Sequence, residues 1–216
     1  MRAIDWILDL LYPRRCAFCH RLIEGEETVC ARCRRELPYT AGAGREQKFP
    51  FVSRCVSPLY YEGDVRRSLL RYKFRGLTGY AEIYGEFLSK CIDETEISCD
   101  IITWVPLSAR RLRRRGYDQA GLLAAELSRR RAILCRPLLR KLRDNPAQSG
   151  TGSPEKRRAN VAGVYETVDA AQLQGLRVLL VDDIVTTGAT LSECARMLKS
   201  AGAAQVFAAT VARGRP

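Results

Sequence analysis

Apolar positions along the chain switch between two periods. Tyr80, Ile83, Tyr84, Phe87, Leu88 and Cys91 recur at i, i+3, i+4, i+7, i+8 and i+11, the single stripe of a long amphipathic helix whose aromatics belong to a core. Val65, Leu69 and Tyr72 repeat that spacing over a helix that Asp64 would cap and that runs to about Phe74. Leu191, Cys194, Ala195 and Leu198 mark a further helix, stopped at Gly202. "DQAGLLAAELSRRR" reads as another, and Ile4, Ile7, Leu8 and Leu11 predict a short one at the start. Between these lie unbroken apolar runs. "DIITWVPLS", which a basic loop bounds, "RVLLVDD" and "QVFAATVA" are short and rich in β-branched residues, as suits strands buried on both faces. "VSRCVSPLYYEG" and "AGVYETV" read as further strands. Strands alternating with helices predict an α/β fold with a doubly wound parallel sheet. The Gly-rich, polar segment 42–48 reads as a linker between a small N-terminal unit, 1–45, and a main domain, 50–216. "LRDNPAQSGTGSPEKRRAN" is long and polar, and reads as a mobile loop of lid length.

Composition changes this picture little, and charge changes it more. The 216 residues are 46% hydrophobic and 28% charged, ordinary for a globular protein. No apolar window is long enough to span a membrane, and Asp5 and Asp9 break the one N-terminal stretch that resembles a leader, so a cytoplasmic protein is expected. The net charge is +12, and from Arg110 to Arg158 there are 15 Lys or Arg against 4 acids. Nearly the whole imbalance sits in that segment, which suits a polyanion or a pyrophosphate-bearing substrate.

Four of the nine cysteines are paired. "CAFCHRLIEGEETVCARC" places Cys16, Cys19, Cys30 and Cys33 as two C-x2-C knuckles ten residues apart. Two such knuckles close a tetrahedral zinc site, and with four thiolates no position stays open for catalysis. The zinc is therefore expected to be structural, and a unit of this size needs it to fold. His20 adjoins Cys19 and reads as a surface neighbour. Cys55, Cys91, Cys99, Cys135 and Cys194 have no ligand spacing and read as small packing residues.

The densest chemistry lies in "VLLVDDIVTTGAT". An apolar strand ends at Asp182 and Asp183, and a turn and a helix follow. Ligands of open α/β sheets bind at the carboxyl ends of strands, and a helix N-terminus attracts anions. Thr186, Thr187, Gly188, Ala189 and Thr190 thus make a phosphate cradle, Gly188 by permitting close backbone approach. The acids require a hydroxyl-bearing or metal-bearing neighbour beside that phosphate. A ribose 5-phosphate supplies hydroxyls, and its diphosphate brings Mg2+; phosphoribosyl diphosphate meets both demands. No G-x-x-x-x-G-K-[ST] and no G-x-G-x-x-G occurs in the chain, which argues against a P-loop NTPase or a dinucleotide site.

This segment resembles the signature of type I phosphoribosyltransferases. With the cysteine knuckles, "YKFRG", "VPLSARRLRRRGYDQA", "RRAN" and the closing "TVARG", the whole chain is similar to the ComF family. The resemblance implies a phosphoribosyltransferase-type domain behind a zinc ribbon. It implies that Asp182 and Asp183 contact the ribose hydroxyls and that 186–190 hold the 5-phosphate. Arg110 and Arg111 would lie at the diphosphate loop. Arg157 (or Arg158, one residue aside) and Asn160 stand at an R-x-x-N segment on or beside the polar loop, and Lys73 in "YKFRG" would face the cleft. Thr186 occupies the place where purine-salvage enzymes carry an acid, which counts against purine salvage. Two readings follow from the family: a DNA-uptake protein acting on or near incoming single-stranded DNA, and a transferase with an unknown acceptor. A third reading, which the sequence permits, has the zinc ribbon dock a helicase-like partner.

Overall fold

The computed structural model describes residues 13–144 and 163–215. The predicted N-terminal helix, most of the polar loop, and Arg157 and Asn160 lie outside the described residues.

The main sheet has the order β1(Glu46–Phe49), β2(Val52–Val56), β8(Gln205–Arg213), β7(Arg177–Val185), β4(Ile101–Trp104), and β3(Leu59–Tyr60) also pairs with β8. β1 and β2 form an antiparallel hairpin at the edge; the other pairings in this sheet are parallel. The central strands read as continuous apolar runs because they are covered on both faces. Val178 and Leu180 enter one core, Leu179 and Val181 the other, as the two-residue period of a strand requires. Burying a leucine such as Leu179 or Leu180 stabilises the fold by roughly 1.5–3 kcal/mol, so a polar residue at either position would break one face.

One face carries helices α2(Gly63–Phe74), α3(Tyr80–Glu94) and α5(Gln119–Arg131). The cysteine knuckles and α1(Ala31–Glu36) pack into the same core, where Phe18 meets Tyr84 and Phe87 edge-on. The predicted stripe of α3 is the buried one: Ile83, Tyr84, Leu88 and Cys91 are inside. α6(Ala189–Ser200) and a hairpin of β5(Leu139–Lys141) with β6(Tyr165–Thr167) cover the other face.

Several local expectations are corrected. The segment 42–48 is not a linker: it forms a 3-10 turn, Gly42–Arg45, and most of strand β1. Tertiary partners order it, for Arg213 Nη1 donates to the Gly44 carbonyl at 2.6 Å and Glu46 pairs with Arg54 at 2.5 Å. The basic run after β4 is a helix, α4(Ala109–Arg115), with Ser108 as its cap and Gly116 closing it in the left-handed region at φ 83°. Asp64 does not cap α2; Glu62 holds that position without a side-chain bond, while Asp64 pairs with Arg67 at 2.6 Å in the first turn. β7 does not stop at the acids but runs on to Val185.

Candidate functional site

The four cysteine sulfurs lie within 4.8 Å of one another. Cys19 and Cys30 Sγ are 3.8 Å apart, and tetrahedral ligands with zinc–sulfur bonds of about 2.3 Å stand about 3.8 Å from each other. The Cys30 N–H donates to Cys16 Sγ at 3.4 Å and the Cys33 N–H to Cys30 Sγ at 3.5 Å, support suited to thiolate ligands. At Cys19 burial acts to raise the thiol, but the Arg21 N–H and the neighbouring sulfurs bring it down to about 7. The donor set fits a structural zinc. His20 is exposed and stands outside the cluster. Burial pushes Cys55 up to about 12, and Cys91, Cys99 and Cys135 to about 11, so these thiols stay protonated and inert.

At the far end of β7 the two acids part company. Successive side chains of a strand point to opposite faces, and only Asp183 meets α2. Its Oδ2 lies 2.9 Å from Lys73 Nζ, with the Asp183 side chain 5% exposed and that of Lys73 21%. At Lys73 burial acts to lower the ammonium, but Asp183, and then Asp182, outweigh it and hold it raised. Asp182 Oδ1 accepts the Asp183 N–H at 2.8 Å. Burial, and next the Asp183 charge, push the Asp182 carboxyl well above its ordinary range despite Lys73. The pair is therefore asymmetric: one carboxylate is compensated by an ammonium, and the other is held at a cost.

The cradle follows. Thr186 is exposed, Thr187 and Thr190 are partly buried, and Gly188 and Ala189 are buried. Gly188 stands at the N-cap of α6 with φ 70° and no side-chain cap, while Ser192 N–H already reaches its carbonyl at 2.8 Å. The first N–H groups of α6 are thus free of side-chain caps at the positive end of the helix dipole. Gly188 is required twice over: the backbone is left-handed, and a Cβ there would overlap the Phe49 ring. Phe49 was not legible as a site residue, since it lies just past the segment that reads as a linker.

Trp104 of β4 sits beside Val181 of β7, and the Val105 N–H bonds the Val181 carbonyl at 3.0 Å. The 105–108 loop and the acid pair therefore leave the same edge of the sheet on adjacent strands. Asp118 shapes that loop, accepting the Leu107 N–H at 3.1 Å while it caps α5 through Ala120 and Gly121. Ser108 Oγ bonds Asp144, and Arg111 lies 3.8 Å from the same carboxylate. Arg110 is exposed beside it, and its charge helps hold Asp144 low, after the Ser108 hydrogen bond and Arg111. Asp118 stood at the start of the predicted helix and inside the quoted "RRGYDQA" stretch, without its bond to the 105–108 loop being legible there; Asp144 carried no motif.

A parallel sheet with an acid pair and an uncapped helix at one strand end, joined to a four-cysteine zinc cluster, defines a phosphoribosyltransferase-type domain with an N-terminal zinc ribbon. Comparison with known families agrees: the phosphoribosyl transferase domain matches residues 112–216 and the double zinc ribbon domain residues 7–44. The DNA utilization protein YhgH of Escherichia coli O6:H1 is 30% identical over 88% of this chain and 86% of its own. Competence protein ComFC of Bacillus subtilis (strain 168) is 29% identical over 89% of this chain and 87% of its own. The chain belongs to the ComF family. Among solved structures, glutamine phosphoribosylpyrophosphate amidotransferase from B. subtilis aligns with a TM-score of 0.42 and 23% identity, over 62% of this chain and 26% of that one.

Proposed function

We propose that the protein binds phosphoribosyl diphosphate, or a related ribose 5-phosphate ligand, with Mg2+ at the loop 182–190, and acts on or beside incoming single-stranded DNA. The observation that carries the reading is the junction of two unlike acids with an uncapped helix N-terminus. The N–H groups of α6 and the hydroxyls of Thr186, Thr187 and Thr190 would take the 5-phosphate. Asp182 and Asp183 would accept hydrogen bonds from the ribose hydroxyls, with the Lys73 Nζ 2.9 Å from Asp183 left as an ion pair. Arg110 and Arg111 on α4, with Arg157 and Asn160, would meet the diphosphate. Mg2+ would neutralise that diphosphate when bound. A cytoplasmic location belongs to this reading.

DNA enters through charge and through kinship with proteins named for competence and DNA utilization. A strand interior lacks the 2′-hydroxyl and has its 3′ oxygens esterified, so the acid pair does not suit it. The basic run from Arg110 onward would serve the strand, and the cradle a separate ligand. Calorimetric titration with phosphoribosyl diphosphate and Mg2+ tests the first part: saturable binding that is lost in Asp182→Asn/Asp183→Asn is expected, and heats equal to buffer dilution overturn it. Anisotropy with labelled single-stranded DNA at two salt concentrations tests the second, and no signal at low salt removes it.

A further inference from the structure

Next to the acid pair lies a cleft of about 210 Å³ lined by Lys73, Phe74, Gly76, Arg114, Arg115 and Tyr117. The last turns of α2 and α4 converge to form it. Three of its six residues are cations, two are aromatic and none is acidic. Lys73 belongs to both places, for the same Nζ lies 2.9 Å from Asp183. The cleft therefore opens one side chain away from the candidate ribose site.

Arg115 and Tyr117 are held in place. Arg115 lies over the Phe74 ring, 5.1 Å from its centroid, and Nη1 bonds the Gln119 side chain. The Tyr117 hydroxyl donates to the Tyr72 carbonyl and its ring leans on that of Tyr72 at 6.3 Å. Phe74 is nonetheless 62% exposed. An exposed ring held against a guanidinium is a prepared platform for a second flat group. Arginines at a helix C-terminus also complement its dipole, but that role asks for neither an exposed Phe nor a concavity.

The geometry points to a second ligand site, for a planar aromatic ring that carries an anionic group. The ring would lie on Phe74 and Tyr117, and the anion would meet Arg114 and Arg115. This deepens the proposed phosphoribosyl site, because such a compound would sit beside the ribose there as the acceptor-side ligand; the cleft's own chemistry stands without it.

The full-length protein would be titrated by saturation-transfer NMR with orotate (ring and carboxylate), uracil (ring alone) and cyclohexanecarboxylate (carboxylate alone). Saturable orotate binding at least tenfold tighter than either control is expected. Arg114→Gln/Arg115→Gln should weaken it at least tenfold and Phe74→Ala at least threefold, with circular dichroism and phosphoribosyl diphosphate affinity held. Asp182→Asn/Asp183→Asn should abolish phosphoribosyl diphosphate binding and leave orotate bound. If orotate binds and phosphoribosyl diphosphate does not, the cradle reading falls and the cleft stands. No saturable orotate signal, equal binding of uracil, or indifference to the three substitutions overturns the inference. So does a 5′-phosphorylated thymidine trinucleotide that binds through Arg114 and Arg115 when orotate does not, since the cleft would then serve a strand end.

Discussion

Arg71, on α2, donates from Nη2 to the Phe18 carbonyl at 2.6 Å and to the Ala17 carbonyl at 3.0 Å. Ser68, one turn earlier, donates to the same Ala17 carbonyl at 2.5 Å. Helix α2 thus grips the backbone of the first cysteine knuckle with one side and presents Lys73 to Asp183 with another. The helix that carries Lys73 is therefore hydrogen-bonded directly to the knuckle backbone. Arg71→Ala removes charge-assisted bonds to carbonyls buried behind the knuckle, at a cost of about 2–3 kcal/mol. Urea denaturation should show that loss, and Arg71→Lys should recover only part of it. A variant as stable as the parent would refute the linkage.

Metal removal acts on the same contact. Cys30→Ser leaves three thiolates, and Phe18, which packs beside Cys16 and Cys33 in the shared core, loses its fixed place against Tyr84 and Phe87. Atomic absorption should find less than one zinc per chain where the parent holds one. The near-ultraviolet circular dichroism of the ring cluster should fade. A parent protein purified without zinc, with its aromatic signal intact, would contradict the structural role.

At the cradle, Gly188→Ala meets two obstacles. The left-handed backbone costs a non-glycine residue about 1 kcal/mol, and its Cβ collides with the Phe49 ring. Phe49→Ala relieves the collision and leaves the backbone cost. The double variant should therefore be more stable than the sum of the two single losses predicts, by about 1 kcal/mol or more. Strict additivity in denaturation experiments would show that Phe49 does not press on the loop.

How much of this was legible depended on whether contacts were local. The stripe on α3, the knuckles and the acid-pair strand follow from spacing alone, because periodicity and ligand geometry act within a few residues. Segment 42–48 misled because Gly and polar residues carry no strand signal. Its order comes from Arg213, almost 170 residues away, and from pairing with β2. The arginine run of α4 hid a helix since it has no apolar stripe; Ser108 and Gly116 were its only local marks. Asp118 was legible as a helix start but not as the acceptor of the Leu107 N–H, and Asp144 reaches Ser108 across 36 residues, a bond that no motif records. The opposite fates of Asp182 and Asp183 needed the sheet, because the sequence shows two adjacent acids but not which one faces Lys73.

Asp100 and Arg177 register the strands that carry the two loops. The Asp100 carboxylate bonds the Arg177 guanidinium at 2.6 Å and its backbone N–H at 2.8 Å, and these bonds lower its pKa to about 2. The pKa is depressed in the folded state, so the stabilisation is present above the unfolded value near 3.9 and is lost as pH falls toward 2. Both groups are substantially exposed, and solvent screening leaves about 1 kcal/mol. Asp100→Asn should flatten the fall in stability between about pH 4 and pH 2. An acid limb unchanged from that of the parent would assign it to other carboxylates.

The asymmetry of the acid pair predicts opposite effects for two similar substitutions in the ligand-free protein. Asp182 has its pKa raised by burial and by Asp183. A carboxyl raised in the folded state leaves stability highest below the unfolded value near 4, and stability falls as pH rises above it. Asp182→Asn should then stabilise the protein at pH 7, by about 1 kcal/mol, with a gain that shrinks as pH falls toward the unfolded value near 4 and is flat below it. Asp183→Asn instead deprives the Lys73 ammonium of its partner at 2.9 Å, and the loss should be about 2–3 kcal/mol, toward the lower end for a broken buried pair because Lys73 keeps some solvent. Both variants should lose phosphoribosyl diphosphate binding. Destabilisation by both would mean that Asp182 is a structural residue, whereas opposite signs would mark it as a group retained for a ligand at the expense of the fold.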